Sequence, residues 1–353
     1  MRKNRIILIT LSLALSGLSF FSKAQSTTHV VTDMAGRKVA IPTTITSVCT
    51  DRFASLIVFA LDPKMLLNST FSVSAEAKKY ISADYYQNKP LTEGNDEETL
   101  KMKPSVIIFG NTGGSSTIAD ANVTQKRLKI PVLIIDFQLP KYKQIYSFLG
   151  KALGREDKAA PIIAFLDKYV EPIAQKVKKI PTSQRPKVYY AEGAKGENTE
   201  PTGSFHSQVI DFLQARNVAK TEMGGVHGMS KASMEQILVW NPEIILVWTG
   251  FPGGVGMGND GNSSSTYNHI MSNPVWAKVK AVKEKKVYKI PSLPFGWFDR
   301  PPTSNCLPGL FWAARLLYPN QFTFNINTAT KEYFNLFYHV KINDKEAEYL
   351  LNK

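Results

Sequence analysis

The sequence predicts an α/β protein: two Rossmann-like lobes with parallel-rich central sheets, joined by one long linker helix. Three observations carry this. A Glu, Leu and Pro pattern followed by an apolar run occurs twice, as E-E-T-L-K-M-K-P-S-V-I-I at 97–108 and E-Q-I-L-V-W-N-P-E-I-I-L at 235–246. Short apolar runs alternate with helical stretches in both halves of the chain. Between the halves, Ile162, Leu166, Tyr169, Ile173, Val177 and Ile180 recur every three or four residues, which is one face of a helix.

Each copy of the repeated pattern reads as a short helix ended by its Pro and followed by a buried parallel strand. The copies lie 138 residues apart (235 minus 97), too far for a solenoid repeat. They are equivalent positions in two similar lobes, each showing one carboxylate on its surface.

Taken in order, residues 1–24 read as a cleaved secretory signal. Arg2, Lys3 and Arg5 precede an apolar stretch at 6–21, and Ser22, Lys23 and Ala24 offer a small-residue cleavage site. The stretch is shorter than the roughly 20 residues of a membrane span, and no Cys follows it to take a lipid. The expected location is a periplasm-like space.

The first lobe is assigned to 25–153. A hairpin opens it, with its turn at 33–36, and strands follow at 47–50, 65–68, 106–110 and 132–136 around helices at 53–61 and 97–102. The linker helix is assigned to 154–181. Its stripe from 162 to 180 would run roughly 28 Å, with Pro161 near the start and Pro172 inside as an expected kink. The second lobe, 182–353, alternates in the same way, with strands at 187–191, 244–248 and 286–290 and helices at 207–215, 233–239 and 307–317.

The net charge is +14, and the leader holds four of the positive charges and no acidic residue, so +10 stays with the rest. Most of the Lys residues are scattered among acidic and apolar neighbours, and nothing resembles a nucleic-acid module. Cys49 and Cys306 are the only cysteines and fall in different lobes, so two separate thiols are expected rather than a bridge.

The opening D-M-A-G-R-K-V-A-I-P at 33–42, the paired Glu helices, the linker helix and P-F-G-W-F-D-R-P-P-T-S-N-C-L-P-G-L at 294–310 together resemble the periplasmic binding proteins of metal-chelate ABC importers. These handle ferric siderophores, haem, cobalamin and related chelates. The resemblance implies a monomer whose lobes clamp a ligand, with no intrinsic cofactor and no covalent chemistry. The metal chelate is the cargo and an ABC permease of the inner membrane is the partner. It also implies that Glu97 and Glu235 dock onto permease arginines, with Glu93 and Glu98 as alternatives. A Glu in a helix's first turn also favours the helix dipole, which accounts for either one singly but not for the matched pair.

Ligands of open α/β sheets gather at the carboxyl ends of strands. That rule selects Arg52 and Phe53 after the first strand, the loop at 110–116, and Trp248 and Phe251 before the Gly-, Asn- and Ser-rich loop at 253–265. The aromatic segment 294–302 is either a pocket wall or a plug over the core. The resemblance favours the wall, with Trp297 stacking on a planar ligand and Arg300 pairing with its carboxylates. His227, in a Gly-rich loop before the Glu235 helix, would fill an open position on the chelated metal. His206 and His269 have no partner at ligand spacing.

The expected cargo is a ferric siderophore or another iron or nickel complex. Cobalamin, haem and a molybdate-like oxyanion are the alternatives. An exported hydrolase using Ser115 or Ser204 with His206, and a ligand-binding sensor or adaptor, are the rival functions.

Overall fold

Two parallel sheets, one in each half of the chain, organise the computed structural model, which describes residues 27–92, 95–111, 115–223, 229–248, 250 and 263–352. The expected leader at 1–24 lies outside the described residues.

A hairpin of β1 (Thr28–Thr32) and β2 (Lys38–Pro42) comes first. Asp33 fixes its turn: Oδ1 accepts from the N–H of Ala35 and Arg37, and Oδ2 accepts from Ile134 at 3.2 Å. The last bond ties the hairpin to the sheet. That sheet follows as β3 (Val48–Thr50), helix α1 (Ser55–Leu61), helix α2 (Asp96–Met102), β4 (Val106–Asn111), helix α3 (Ser115–Leu128) and β5 (Val132–Asp136). Its order is β3-β4-β5, all parallel, and apolar residues cover both of its faces, as a parallel sheet requires.

The strand expected at 65–68 does not form. Leu66 makes one isolated bridge to Val48. The Asn68 side chain takes over instead, accepting from Thr50 N at 3.0 Å and donating to the carbonyls of Thr50 and Thr92. A side chain able to satisfy strand-edge groups competes with a backbone ladder.

Helix α4 (Tyr142–Leu153) leads into the linker α5 (Glu156–Val177). At 22 residues, α5 is about 33 Å long. It starts six residues before the predicted stripe, so Pro161 lies in the second turn rather than near the start. All six stripe residues are buried, although Ile180 falls beyond the helix end.

The second half holds β6 (Lys187–Ala191), β7 (Asn198–Thr199), α6 (Gln208–Phe212), β8 (Arg216–Asn217), β9 (Ser230–Lys231), α7 (Met234–Trp240), β10 (Ile244–Val247), α8 (Ser263–Ser272), α9 (Lys280–Lys283), β11 (Val287–Lys289) and α10 (Cys306–Leu317). Its parallel sheet has the order β11-β10-β6-β8.

The last helices, α11 (Ile326–Phe337) and α12 (Asp344–Asn352), fall in the range that the sequence assigns to the second lobe. They pack back on the first. Phe334 lies against Tyr80, His339 against Phe59, and Tyr349 donates to Glu76 at 2.7 Å. The apolar faces of α1, α5, α10 and α11 thereby share one core that runs through both halves.

Cys49 and Cys306 are buried and form no disulfide. Burial pushes both thiols up to about 12. Gly309 of α10 passes so close to the 294–302 segment that an added Cβ would meet the Trp297 carbonyl oxygen at 2.0 Å. Backbone cannot swing aside as a side chain does. Gly309→Ala is therefore expected to destabilise the fold by about 1–3 kcal/mol in urea unfolding, whereas Gly154→Ala, with open space around it, should cost only its positive φ.

Candidate functional site

The repeated Glu pattern becomes two helices in matched register. Helix α2 starts from Asn95, whose side chain accepts from Glu98 N at 2.9 Å. Helix α7 starts from Ser233 in a reciprocal capping box with Gln236. Each has seven residues, each carries its Glu at the second position, and each ends on a left-handed residue, Lys103 or Asn241. The Pro that follows ends each helix, as the sequence pattern implies, although the last helical residue lies two positions before it. It bars the preceding residue from helical geometry, so the chain stops one residue earlier. Caps, helix ends and following strands all repeat at the 138-residue offset.

Both carboxylates face solvent. Glu97 is 79% exposed and pairs with Lys101 at 2.8 Å. Glu235 is held below the usual carboxylate range by its own backbone N–H and by Ser233. Glu98 shares the first turn of α2, and Glu93 lies outside the described residues.

At the carboxyl end of β3, Asp51 clamps the next loop. Its Oδ1 accepts from Phe53 and Ala54 N–H and its Oδ2 from Gly110 N–H at 2.8 Å. That clamp positions Arg52, which is half-buried with its guanidinium 5.7 Å over the Phe71 ring. Phe53 begins a run of rings that crosses between the halves: Phe53 to Phe137 at 5.6 Å, Phe137 to Phe205 at 5.1 Å, and Phe205 to His206 at 5.9 Å. Leu139 N–H also donates across to Gln208 at 2.7 Å. Arg52 and Phe53 therefore stand where the two halves meet.

The 294–302 segment departs from expectation. Trp297 is 0% exposed, its Nε1 donates to the Leu293 carbonyl at 2.7 Å, and its ring lies against Phe334. A ring with no open face stacks on no ligand, so the segment is here the plug and not the wall. Arg300 is also buried, at 6% exposed, with its guanidinium 4.7 Å over Trp248. It pairs with Glu192 at 2.6 Å, with Glu200 at 3.1 Å and with Asp299. Three protein carboxylates already surround it, which leaves it poorly suited to a ligand's carboxylate. Trp248 itself is half-buried. Phe251, His227 and most of the 253–265 loop lie outside the described residues, as do 112–114 of the 110–116 loop.

Sequence reasoning missed the network that holds Arg300. Glu192 directly follows β6, and the strand-end rule that selected Arg52 selects it equally. Burial, together with the neighbouring Glu200 and Asp299, pushes the Glu192 carboxyl well up despite Arg300. Burial also acts to raise Asp299, but Arg300 and His206 outweigh it and hold that carboxyl below its ordinary value. Tyr190 donates to Asp299 at 2.9 Å, and the Ser204 hydroxyl donates to Glu200. His206 Nδ1 lies 3.1 Å from Asp299 Oδ2. The Ser204 hydroxyl and the His206 ring thus serve different carboxylates and make no nucleophile–base pair with each other.

Among the described residues, no three His, Cys, Asp or Glu side chains converge as a metal site, and no helix is long and apolar enough to cross a membrane.

The family profile of the periplasmic binding proteins matches residues 48–294. The molybdate-binding protein MolA of Haemophilus influenzae is 25% identical over 94% of this chain and 96% of its own. An iron-uptake system-binding protein of Bacillus subtilis is 26% identical over 82% of this chain and 90% of its own. A solved ABC transporter solute-binding protein from Sulfurospirillum deleyianum superposes with a TM-score of 0.79 at 27% identity, over 91% of this chain and 98% of that one. Two parallel-sheet lobes, a 22-residue linker helix and a profile match over most of the chain lead to one conclusion: the chain belongs to the periplasmic binding protein family.

Proposed function

We propose that this protein is the capture subunit of an ABC importer, holding a small metal chelate between the carboxyl ends of its two sheets and passing it to a permease that grips both lobes. The observation that carries this reading is the matched pair of α2 and α7, each with an exposed Glu at its second position and the same 138-residue offset throughout. A single capped helix explains one such Glu, but two at matched positions support a partner that reads both. Arg52 supplies a cation at the rim for an anionic chelate, with aromatic rings beside it. The leader would export the protein and be removed.

A second reading, an oxyanion such as molybdate, is favoured by the similarity to a molybdate-binding protein along nearly the full chain. Native mass spectrometry of the protein exported from its own host separates the two. A chelate reading expects an organic, metal-bearing adduct that is lost on denaturation, and an adduct with the mass of a bare oxyanion contradicts it. Arg52→Ala should weaken binding of that same solute about tenfold or more, since a hydrogen bond to a charged group contributes about 1.5–3 kcal/mol.

A further inference from the structure

We infer that His206 is a metal-reaching residue of the solute site, presenting its Nε2 to an open coordination position on the chelated metal. The inference rests on the chelate reading above. It begins with Nδ1, which is buried, meets no hydrogen-bond partner in regular geometry, and has Asp299 Oδ2 as a close contact at 3.1 Å. Asp299 is itself fixed by Arg300 and by the Tyr190 hydroxyl at 2.9 Å. A carboxylate on one imidazole nitrogen keeps the proton there, sets the ring's orientation and makes the other nitrogen a better electron-pair donor. This is the arrangement in which protein imidazoles bind metals. Among the described residues, Nε2 has no hydrogen-bond partner, and the side chain is 14% exposed. Among the described residues, the ring thus has Asp299 close on one side and no polar partner on the other.

Its place in the fold supplies the second argument. His206 ends the run of rings from Phe53 through Phe137 and Phe205, so it stands at the junction of the two halves, across from the loop that carries Arg52. The backbone is held as well: His206 N–H donates to the Ser204 hydroxyl, which is engaged with Glu200. One imidazole is too little to hold a bare ion. It suffices to complete the shell of a metal whose other positions a chelator already fills. The class implied is a complex of a first-row transition metal with at least one labile position.

The test uses the mature full-length protein with three probes: nickel–histidine, a ferric–catecholate complex and molybdate. His206→Ala and the volume-conserving His206→Gln are compared with the wild type after their melting midpoints without ligand are shown to match it within a few degrees. The expected result is chelate binding by the wild type, at least tenfold weaker binding by both variants, and an imidazole scattering signature at the metal X-ray absorption edge that the variants lack. A His206 that only braces Asp299 would not produce that signature. Chelate binding by the variants within twofold of wild type, with an unchanged edge spectrum, overturns the assignment and leaves the chelate reading standing. Binding of molybdate with no binding of either chelate overturns both.

Discussion

Replacing Glu97 and Glu235 together by Lys is expected to abolish solute uptake in cells while solution affinity for the solute stays within twofold. Both side chains sit in exposed first turns, far from any buried contact that would carry the change into the core. The fold should therefore survive, apart from loss of the Glu97–Lys101 pair, which as an exposed i,i+4 contact is worth only ~0.3–0.5 kcal/mol. At the membrane the balance differs. Close charge pairs at an interface couple by ~1.5–7 kcal/mol, so even the low end is tenfold per site and reversal adds repulsion. Single reversals should each reduce uptake and the double should remove it. Uptake by the double variant at the wild-type rate would show that the paired helices serve something other than docking.

Arg300→Met should be the most damaging single change in the second lobe. The guanidinium stands among Glu192, Glu200 and Asp299, all buried, and its removal takes away the cation that pairs with all three. Removing one partner of a buried pair costs about 3–5 kcal/mol, visible as a lower urea midpoint with an unchanged slope. Glu192→Gln is the informative companion. Burial holds the Glu192 carboxyl well above its ordinary value of 4.5, so the fold favours its protonated form. Its contribution to stability is then full below about 4.5 and declines as pH rises from there through the folded-state value. Gln mimics the protonated acid, so the variant should lose that decline while costing under about 1 kcal/mol near neutrality. Asp299 acts oppositely: held below 3.8, it contributes above that pH and loses its contribution as the medium becomes more acidic. A stability profile for Glu192→Gln that still declines as steeply as the wild type above 4.5 would contradict this account of the cluster.

What the sequence made legible was local or periodic. The Glu helices, the α5 stripe and the strands at 132–136 and 187–191 depend on neighbours within a turn or a pleat, and they fall at the expected places. The candidate site was legible only to the extent that strand ends announce it, as for Arg52. The environment of Arg300 was not, because its partners Glu192 and Glu200 lie about 100 residues away and approach only through the sheet. His206 gives no local signal for the same reason: Asp299, its orienting carboxylate, follows it by 93 residues (299 minus 206). Trp297 misleads differently. An aromatic loop stiffened by prolines reads alike whether it lines a pocket or seals a core, and the deciding contact, a Gly309 that lets α10 press against the Trp297 backbone, depends on tertiary packing. The return of α11 and α12 to the first lobe had no signal in hydrophobic period, which fixes a helix's buried face but not what covers it.

Capture of a metal chelate is the central claim, and thermal unfolding of the mature protein against a solute panel tests it most directly. With ferric siderophores, haem, cobalamin, nickel–histidine and molybdate each supplied in excess, one metal chelate should raise the melting midpoint. At a hundred times its Kd it should stabilise the fold by about 2.7 kcal/mol, with one solute bound per chain. Stabilisation by molybdate alone, with every chelate leaving the midpoint unmoved, would contradict the account.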